Sequence, residues 1–284
     1  MPNSIRSAIT EGARALADAG VSEARKEATS LMRHTLDSDH TFVIAHAEEE
    51  LDELRLQTFR SLIARRAQRE PLQYLIGYQE FYNLDFEVTP DVLIPRAETE
   101  IIVEAALDLC RNARTPFIAD IGTGSGCIVI SLLHELRDAR AIATDLSLGA
   151  LRVAQRNAKR HKVIDRLILV EADGFAPAGE DHEFSLIVSN PPYVTENEFA
   201  VLQPEVRDYE PRAALVSGED GLAHIRMLLR AAPPHLQCGG YFIFEIGFGQ
   251  GDAVARLIDQ EQWSVIEVRK DLQNIPRTFV LQKR

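Results

Sequence analysis

Six residues, Ser189-Asn190-Pro191-Pro192-Tyr193-Val194, close an apolar run, Phe184-Ser185-Leu186-Ile187-Val188. An amide, two prolines and a phenol are an unusual ending for a buried strand, and their chemistry suits one task. A planar NH2 group acting as a nucleophile has two hydrogens to be held and one lone pair to be aimed. The side-chain carbonyl of Asn190 is one acceptor. Pro191 has no N–H, but its carbonyl is a second acceptor on a backbone whose φ the ring fixes. Two acceptors hold both hydrogens, turn the lone pair toward an electrophile and draw the nitrogen away from planarity. Tyr193 is a candidate to pack on the flat face of the group. Orientation alone can contribute up to about 7–11 kcal/mol, and no strong base is demanded because the nitrogen becomes acidic as its new bond forms. The plain alternative is a proline-rich turn with asparagine as a local cap.

A second stretch names the electrophile. Asp120-Ile121-Gly122-Thr123-Gly124-Ser125-Gly126 follows one short apolar run and opens a helical pattern, the context in which a glycine-rich turn carries meaning. The spacing is neither GxGxxG nor a P-loop. Glycine still lets backbone approach a ligand closely, and the helix N-terminus behind it favours an anion such as a carboxylate. Asp145, at the end of the next strand pattern, is placed to accept from both hydroxyls of a ribose. Together these describe a nucleoside ligand without a pyrophosphate, and S-adenosylmethionine fits, its sulfonium methyl being the electrophile. A tight turn beside a solvated aspartate is the alternative. After a third strand pattern, Asp173 is a candidate acceptor for an adenine amino group. Phe175 is a candidate to pack on the ring, or a core residue.

The elements that must position these residues alternate. From residue 97 onward, strands expected at 117–120, 140–145, 167–170, 184–189 and 241–246 are separated by helices, the pattern of a mostly parallel, doubly wound α/β sheet. Two late strands, near 263–268 and 278–282, suggest an antiparallel hairpin at one edge. Both motifs then lie at the carboxyl edge, where ligands of open α/β sheets bind. Residues 1–75 contain helical spacing only: Ile5, Ala8, Ile9, Ala13 and Leu16; Ala24, Ala28, Leu31 and Met32; Leu51, Leu54, Phe59 and Leu62. They form a small all-α domain, either a structural bundle or a docking module for a macromolecule. Residues 76–96 read as a β-hairpin connector with Asn83 near its turn, and 97–284 as the catalytic domain.

The chain of 284 residues carries a formal net charge of −12, which argues against a bulk-electrostatic grip on nucleic acid. Its three cysteines are far apart and form no CxxC pair, against a metal site or disulfide framework and in keeping with a reducing cytoplasm. No apolar run reaches the roughly 18 residues of a membrane span, so no membrane partner is expected.

"DIGTGSG", "ATD" and "SNPPY", in this order, resemble the amino-methyltransferases with an (Asn/Asp)-Pro-Pro-(Tyr/Phe) motif, a group acting on DNA adenine or on protein glutamine. "PLQYLIGYQEFYNLDFEVTPDVLIPRAETE" (71–100) is similar to the connector of the peptide chain release factor glutamine methyltransferases, usually close to "LIPRPxTE". Pro95, Arg96, Thr99 and Glu100 match, and Ala97 stands where proline is usual. The related ribosomal-protein enzymes typically carry "PRSPIxEL", which is absent.

The resemblance implies a Rossmann-like class I S-adenosylmethionine-dependent methyltransferase sheet behind a helical N-terminal domain. It implies methylation of the glutamine in the Gly-Gly-Gln loop of bacterial release factors 1 and 2, yielding N(5)-methylglutamine and S-adenosylhomocysteine and modulating translation termination. Gly122, Thr123, Gly124, Ser125, Gly126, Asp145, Asp173, Gly174, Phe175 and Asn190 would hold the cofactor. Asn190, Pro191, Pro192 and Tyr193 would hold the glutamine, with Asn190, Pro191 and Tyr193 catalytic and no metal. The family often has tryptophan at the position of Gly174, lining the adenine pocket; glycine cannot stack, which leaves Phe175. Arg96 is a candidate for holding local structure or the substrate loop, and the N-terminal helices for gripping the release factor away from its glutamine. A nucleic-acid adenine N6-methyltransferase would need a basic surface, whereas runs such as "HAEEELDE" are acidic. A catalytically silent S-adenosylmethionine-binding interaction protein would not need an intact Asn190 to Tyr193.

Overall fold

The computed structural model describes residues 3–111, 115–175 and 183–284. These divide into two compact units, one holding the chain through Tyr78 together with Gln203–Tyr209, the other Gln79–Leu202 and Glu210–Arg284.

The first unit is helical: α1 (Ile5–Asp18), α2 (Ala24–Leu36), α3 (His40–Ala45), α4 (Glu53–Ala67) and α5 (Leu72–Ile76). Ser4, Asp39 and Asp52 cap α1, α3 and α4 by accepting a backbone N–H with the side chain. Leu16, Leu31, Met32 and Phe59 are fully buried where α1, α2 and α4 meet. Gly12 lets α1 and α4 close up, since a Cβ there would stand 2.9 Å from Ile63 Cδ1. Leu54, expected in this core, is exposed, because Asp52 starts α4 with Leu54 on its outer face. The segment Gln203–Tyr209 packs on this unit: Arg66 of α4 bonds Glu27 and, at 3.0 Å, Glu205, which also takes Arg69 at 2.7 Å.

A hairpin follows, β1 (Tyr78–Phe81) and β2 (Leu84–Glu87), all but its first residue in the second unit. Tyr82 and Asn83 both have positive φ at its two-residue turn, the geometry that matches strand twist. A sheet of seven strands follows: β3 (Phe117–Ile121), β4 (Arg140–Asp145), β5 (Leu167–Glu171), β6 (Phe184–Ser189), β7 (Leu236–Glu245), β8 (Trp263–Lys270) and β9 (Pro276–Lys283). The order is β5-β4-β3-β6-β7-β9-β8, with β3 to β7 parallel and β9 antiparallel to both its neighbours. The expected late hairpin forms, but β9 threads between β7 and β8. Helices α6 (Glu100–Cys110), α7 (Cys127–Glu135), α8 (Leu148–Arg160), α9 (Glu196–Ala200), α11 (Ala223–Ala231) and α12 (Gly251–Leu257) belong to this unit, and α10 (Pro204–Tyr209) to the helical one.

Covered faces explain the apolar runs: parallel strands buried on both sides have no polar alternation. One core contains Ile118, Ala141, Leu186 and Val188 with α6 and α7; the other contains Ala119, Ile142, Ile187 and Phe242 with α11. Strand β3 lies between β4 and β6, so the chain order reverses there. The β3 and β6 exits, hence both motifs, emerge side by side at this switch point.

Candidate active site

A cavity of about 450 Å³ opens at the switch point. Its glycine wall is the turn from β3 into α7, where Gly122, Gly124 and Gly126 have φ of +74°, +55° and +82°. The N–H groups of Gly122 and Thr123 both donate to the Thr144 carbonyl at 2.9 Å, tying the turn to β4. A Cβ on Gly122 or Gly124 would meet nothing within 4 Å, so these two residues keep backbone bare beside open space. Ser125 is buried, and its carbonyl accepts from Asn157 Nδ2 at 2.9 Å.

Asp145 accepts from Gly124 N–H at 2.8 Å and Ser147 N–H at 2.9 Å, one on each oxygen. The carboxylate is thereby fixed while each oxygen keeps a lone pair for a ligand hydroxyl. Burial raises its pKa against those backbone bonds. Beneath the turn, Asp120 is fully buried and pushed up to about 7 by loss of solvent. One of its oxygens takes the Thr123 hydroxyl at 2.7 Å; the other has no partner among the described residues.

The wall beyond β5 differs from expectation. Asp173 and Gly174 line the cavity, and the Gly174 carbonyl accepts from Thr144 Oγ1 at 2.9 Å. Phe175 does not line it. Its ring is buried in the second core, stacked on His235 with centroids 4.7 Å apart. Met227 of α11 stands over Gly174, its sulfur 3.5 Å from where a Cβ would be, and lines the cavity with Leu228. A thioether and a leucine occupy the wall where an aromatic ring was expected.

Asn190, Pro191 and Pro192 form the opposite wall. Asn190 Nδ2 donates to Thr99 Oγ1 at 3.0 Å, and Thr99 donates to Glu245 Oε2 at 2.6 Å. Asn190 Oδ1 is left without a protein donor among the described residues. Tyr193 lies one layer behind the lining, its hydroxyl donating to the other Glu245 oxygen at 3.0 Å. Packing of this ring on a flat substrate group is therefore not what the resting geometry holds; the phenol is committed to the carboxylate. Glu245 ends β7, is buried, and is pushed up to about 7 mainly by loss of solvent. Burial likewise raises the Tyr193 phenol.

The turn itself is clamped. Val194 N–H donates to Leu215 and Ser217 N–H to Val194. Gln250 Nε2 donates to the Tyr193 carbonyl at 3.0 Å. Arg96 also lines the cavity. It bonds Glu210 at 2.6 Å, and the same buried carboxylate takes Ile94 N–H at 3.1 Å, so Arg96 fastens the connector locally. Among the described residues no group of three His, Cys, Asp or Glu is placed to hold a metal, and no helix is long and apolar enough to cross a membrane.

Of the residues expected at the site, the structure brings together the glycine turn, Asp145, Asp173, Gly174 and the Asn190-Pro191-Pro192 wall, and leaves Phe175 and Tyr193 outside the lining. Three members of the site were not expected from the sequence: Met227, Thr99 as a hydrogen-bonding partner of Asn190, and Glu245. The last had a signal: a carboxylate ending the apolar strand Tyr241-Phe242-Ile243-Phe244 at the ligand edge, where buried acids need partners.

Two family models match the chain: "PrmC N-terminal domain" over residues 7–77 and "Methyltransferase small domain" over residues 99–206. The chain is 47% identical over 239 residues to "Release factor glutamine methyltransferase" of Geobacter sulfurreducens, covering 84% of this chain and 82% of the relative. It is 34% identical over 305 aligned positions to "Bifunctional methyltransferase" of Rickettsia bellii, covering 98% of this chain but 55% of that protein; the chain thus spans about half the length of this relative. Among solved structures, the hMettl16 catalytic domain in complex with MAT2A 3′UTR hairpin 6 superposes with a TM-score of 0.57 at 15% identity, over 78% of this chain and 81% of that one, a likeness of fold.

Proposed function

The chain belongs to the release factor glutamine methyltransferase family, and from that premise we propose that it methylates the side-chain amide nitrogen of the Gly-Gly-Gln glutamine in release factors 1 and 2. The methyl donor is S-adenosylmethionine, and the reaction modulates translation termination in the cytoplasm. The observation that carries the reading is the committed amide of Asn190. Its Nδ2 is held by Thr99, so Oδ1 is the atom left to accept, beside Pro191, which lines the same cavity as the glycine turn.

When bound, S-adenosylmethionine supplies an electrophilic methyl group. The cavity residues fit it. Gly122 and Gly124 leave bare backbone for the amino-acid tail, with Thr123, Ser125 and Gly126 shaping the turn, and Asp145 keeps lone pairs for the ribose hydroxyls. Asp173, Gly174, Met227 and Leu228 form the wall for the base. Asn190 and Pro191 accept the two hydrogens of the glutamine NH2 and aim its lone pair; Pro192 bounds the group, and Tyr193 braces the turn. Rate enhancement comes chiefly from this orientation. The proton is lost after the nitrogen has acquired its methyl and become acidic, so no general base need face it.

We assign docking of the release factor body to the helical residues 1–75, bridging to 76–96, and catalysis to 97–284. Incubation with labelled S-adenosylmethionine and a purified release factor, followed by peptide mass spectrometry, tests the proposal. Label is expected on the Gly-Gly-Gln glutamine and abolished by Asn190→Ala. Label elsewhere, or transfer to duplex DNA offered in parallel, refutes it.

A further inference from the structure

We propose that Glu245, acting through Thr99, sets which face of the Asn190 amide is presented to the acceptor nitrogen. The inference rests on the reading of Asn190 as holder of that group. An amide is nearly symmetric in shape and opposite in polarity: Oδ1 accepts, Nδ2 donates. A glutamine NH2 arrives with two hydrogens and requires acceptors. Asn190 turned the other way would set N–H against N–H, and nothing in its own side chain chooses between the two.

The choice is made behind it. Thr99 Oγ1 is buried, 3.0 Å from Asn190 Nδ2 and 2.6 Å from Glu245 Oε2. A hydroxyl has one hydrogen. Given to the carboxylate, it leaves Thr99 only lone pairs, so Asn190 must turn its NH2 inward and its oxygen to the cavity. Tyr193 donates to the remaining Glu245 oxygen at 3.0 Å, so both oxygens accept, as an ionised carboxylate does. A protonated Glu245 would instead donate to Thr99 and release the hydroxyl hydrogen toward Asn190, favouring the flipped amide. Glu245 and Thr99 are thus positioning residues, and the polarity of the chain starts at the carboxylate.

Around Glu245 stand Arg277, which favours its ionised form, and Glu98, which opposes it; Tyr193, itself facing Arg96 and Arg277, and Cys127 are the other titratable neighbours. Burial holds the carboxyl near 7, so the flip falls within a working pH range.

The test measures kcat, KM for the release factor, calorimetric cofactor Kd and a rate profile from about pH 5.5 to 9. The proteins are wild type, Thr99→Val, Thr99→Ser, Glu245→Gln and Asn190→Ala. Thr99→Val, isosteric but without the hydroxyl, is expected to lose about 10- to 100-fold in kcat, with KM and cofactor Kd within about threefold. Thr99→Ser should restore most of the rate. The wild-type rate should fall below about pH 7, and Glu245→Gln should be slow without that acid limb, a readout that survives even if Thr99→Val fails to fold. Wild-type kcat in Thr99→Val, Thr99→Ser no better than Thr99→Val, or an acid limb persisting in Glu245→Gln each overturns the inference. If Asn190→Ala is inactive in that case, the site reading stands alone; if Asn190→Ala is active, both fall.

Discussion

Gly221 offers a perturbation whose size can be worked from the structure. Its φ is +71°, and a Cβ built there would lie 2.3 Å from the Tyr193 carbonyl oxygen and 2.7 Å from Gln250 Nε2. Contacts under 3.0 Å are essentially never seen for a real Cβ. Gly221→Ala must therefore displace the Tyr193 carbonyl or Gly221 by at least 0.7 Å (3.0 minus 2.3), breaking the Gln250 bond that clamps this turn. A misplacement of ~1 Å can cost ~10²-fold in rate, so kcat for glutamine methylation is expected to fall about 30- to 100-fold. Backbone strain alone must be subtracted, and Gly218 allows it. That residue has φ +77° but its Cβ would rest at an ordinary 3.5 Å from Ala223. Gly218→Ala should show the ~1–2 kcal/mol cost of a left-handed alanine with kcat nearly intact. Single-turnover methyl transfer and thermal unfolding on both variants separate the effects. Equal kcat in the two, with both folded, would refute the claim that the Asn190–Tyr193 turn is held by close backbone packing.

Three further outcomes follow from the same geometry. Glu210→Ala strands the Arg96 guanidinium and the Ile94 N–H; partial exposure of Arg96 keeps the cost near 3 kcal/mol, read as a shift in the urea midpoint. Asp145→Ala removes the carboxylate assigned to the ribose hydroxyls and should weaken S-adenosylhomocysteine about 100-fold by calorimetry, charge-assisted bonds being worth ~1.5–3 kcal/mol each. Asp120 titrates at about 7 when folded and 3.8 otherwise. The folded state therefore binds the extra proton between those values, and stability present below about pH 4 is lost as pH rises through 7, by roughly 4 kcal/mol. Asp120→Asn should accordingly gain on wild type between pH 5 and 8 in urea unfolding, and a pH-independent difference would contradict the burial argument.

What was legible in the sequence is what local covalent chemistry dictates. Glycines that bare a turn and prolines that fix φ announce themselves in any context, and strands buried on both faces read as apolar runs. The sheet and the two motifs at its edge followed from these. What was not legible depends on partners distant in the chain. Whether Phe175 faces a ligand or the core is decided by α11 and His235, and the vacancy over Gly174 is filled by Met227 from that same helix. The insertion of β9 between β7 and β8 is a choice of antiparallel pairing that period-two patterning does not encode. The capture of Gln203–Tyr209 by the helical unit rests on Glu205 meeting Arg66 and Arg69, three charged residues that individually look like solvated surface.

The hydrogen-bonded set of Thr99, Asn190, Tyr193 and Glu245 shows why the functional core is the hardest part to see. Its members come from the start of α6, the exit of β6 and the end of β7. Each has an ordinary local explanation: a helix-entry threonine, a turn asparagine, a turn tyrosine, a strand-end acid. Only their convergence turns a buried carboxylate, which would otherwise cost stability at neutral pH, into the device that orients an amide. A fold optimised for stability alone would place at this position a residue that does not ionise; a buried carboxylate at this strand end is intelligible if the ionised state itself is what the site uses.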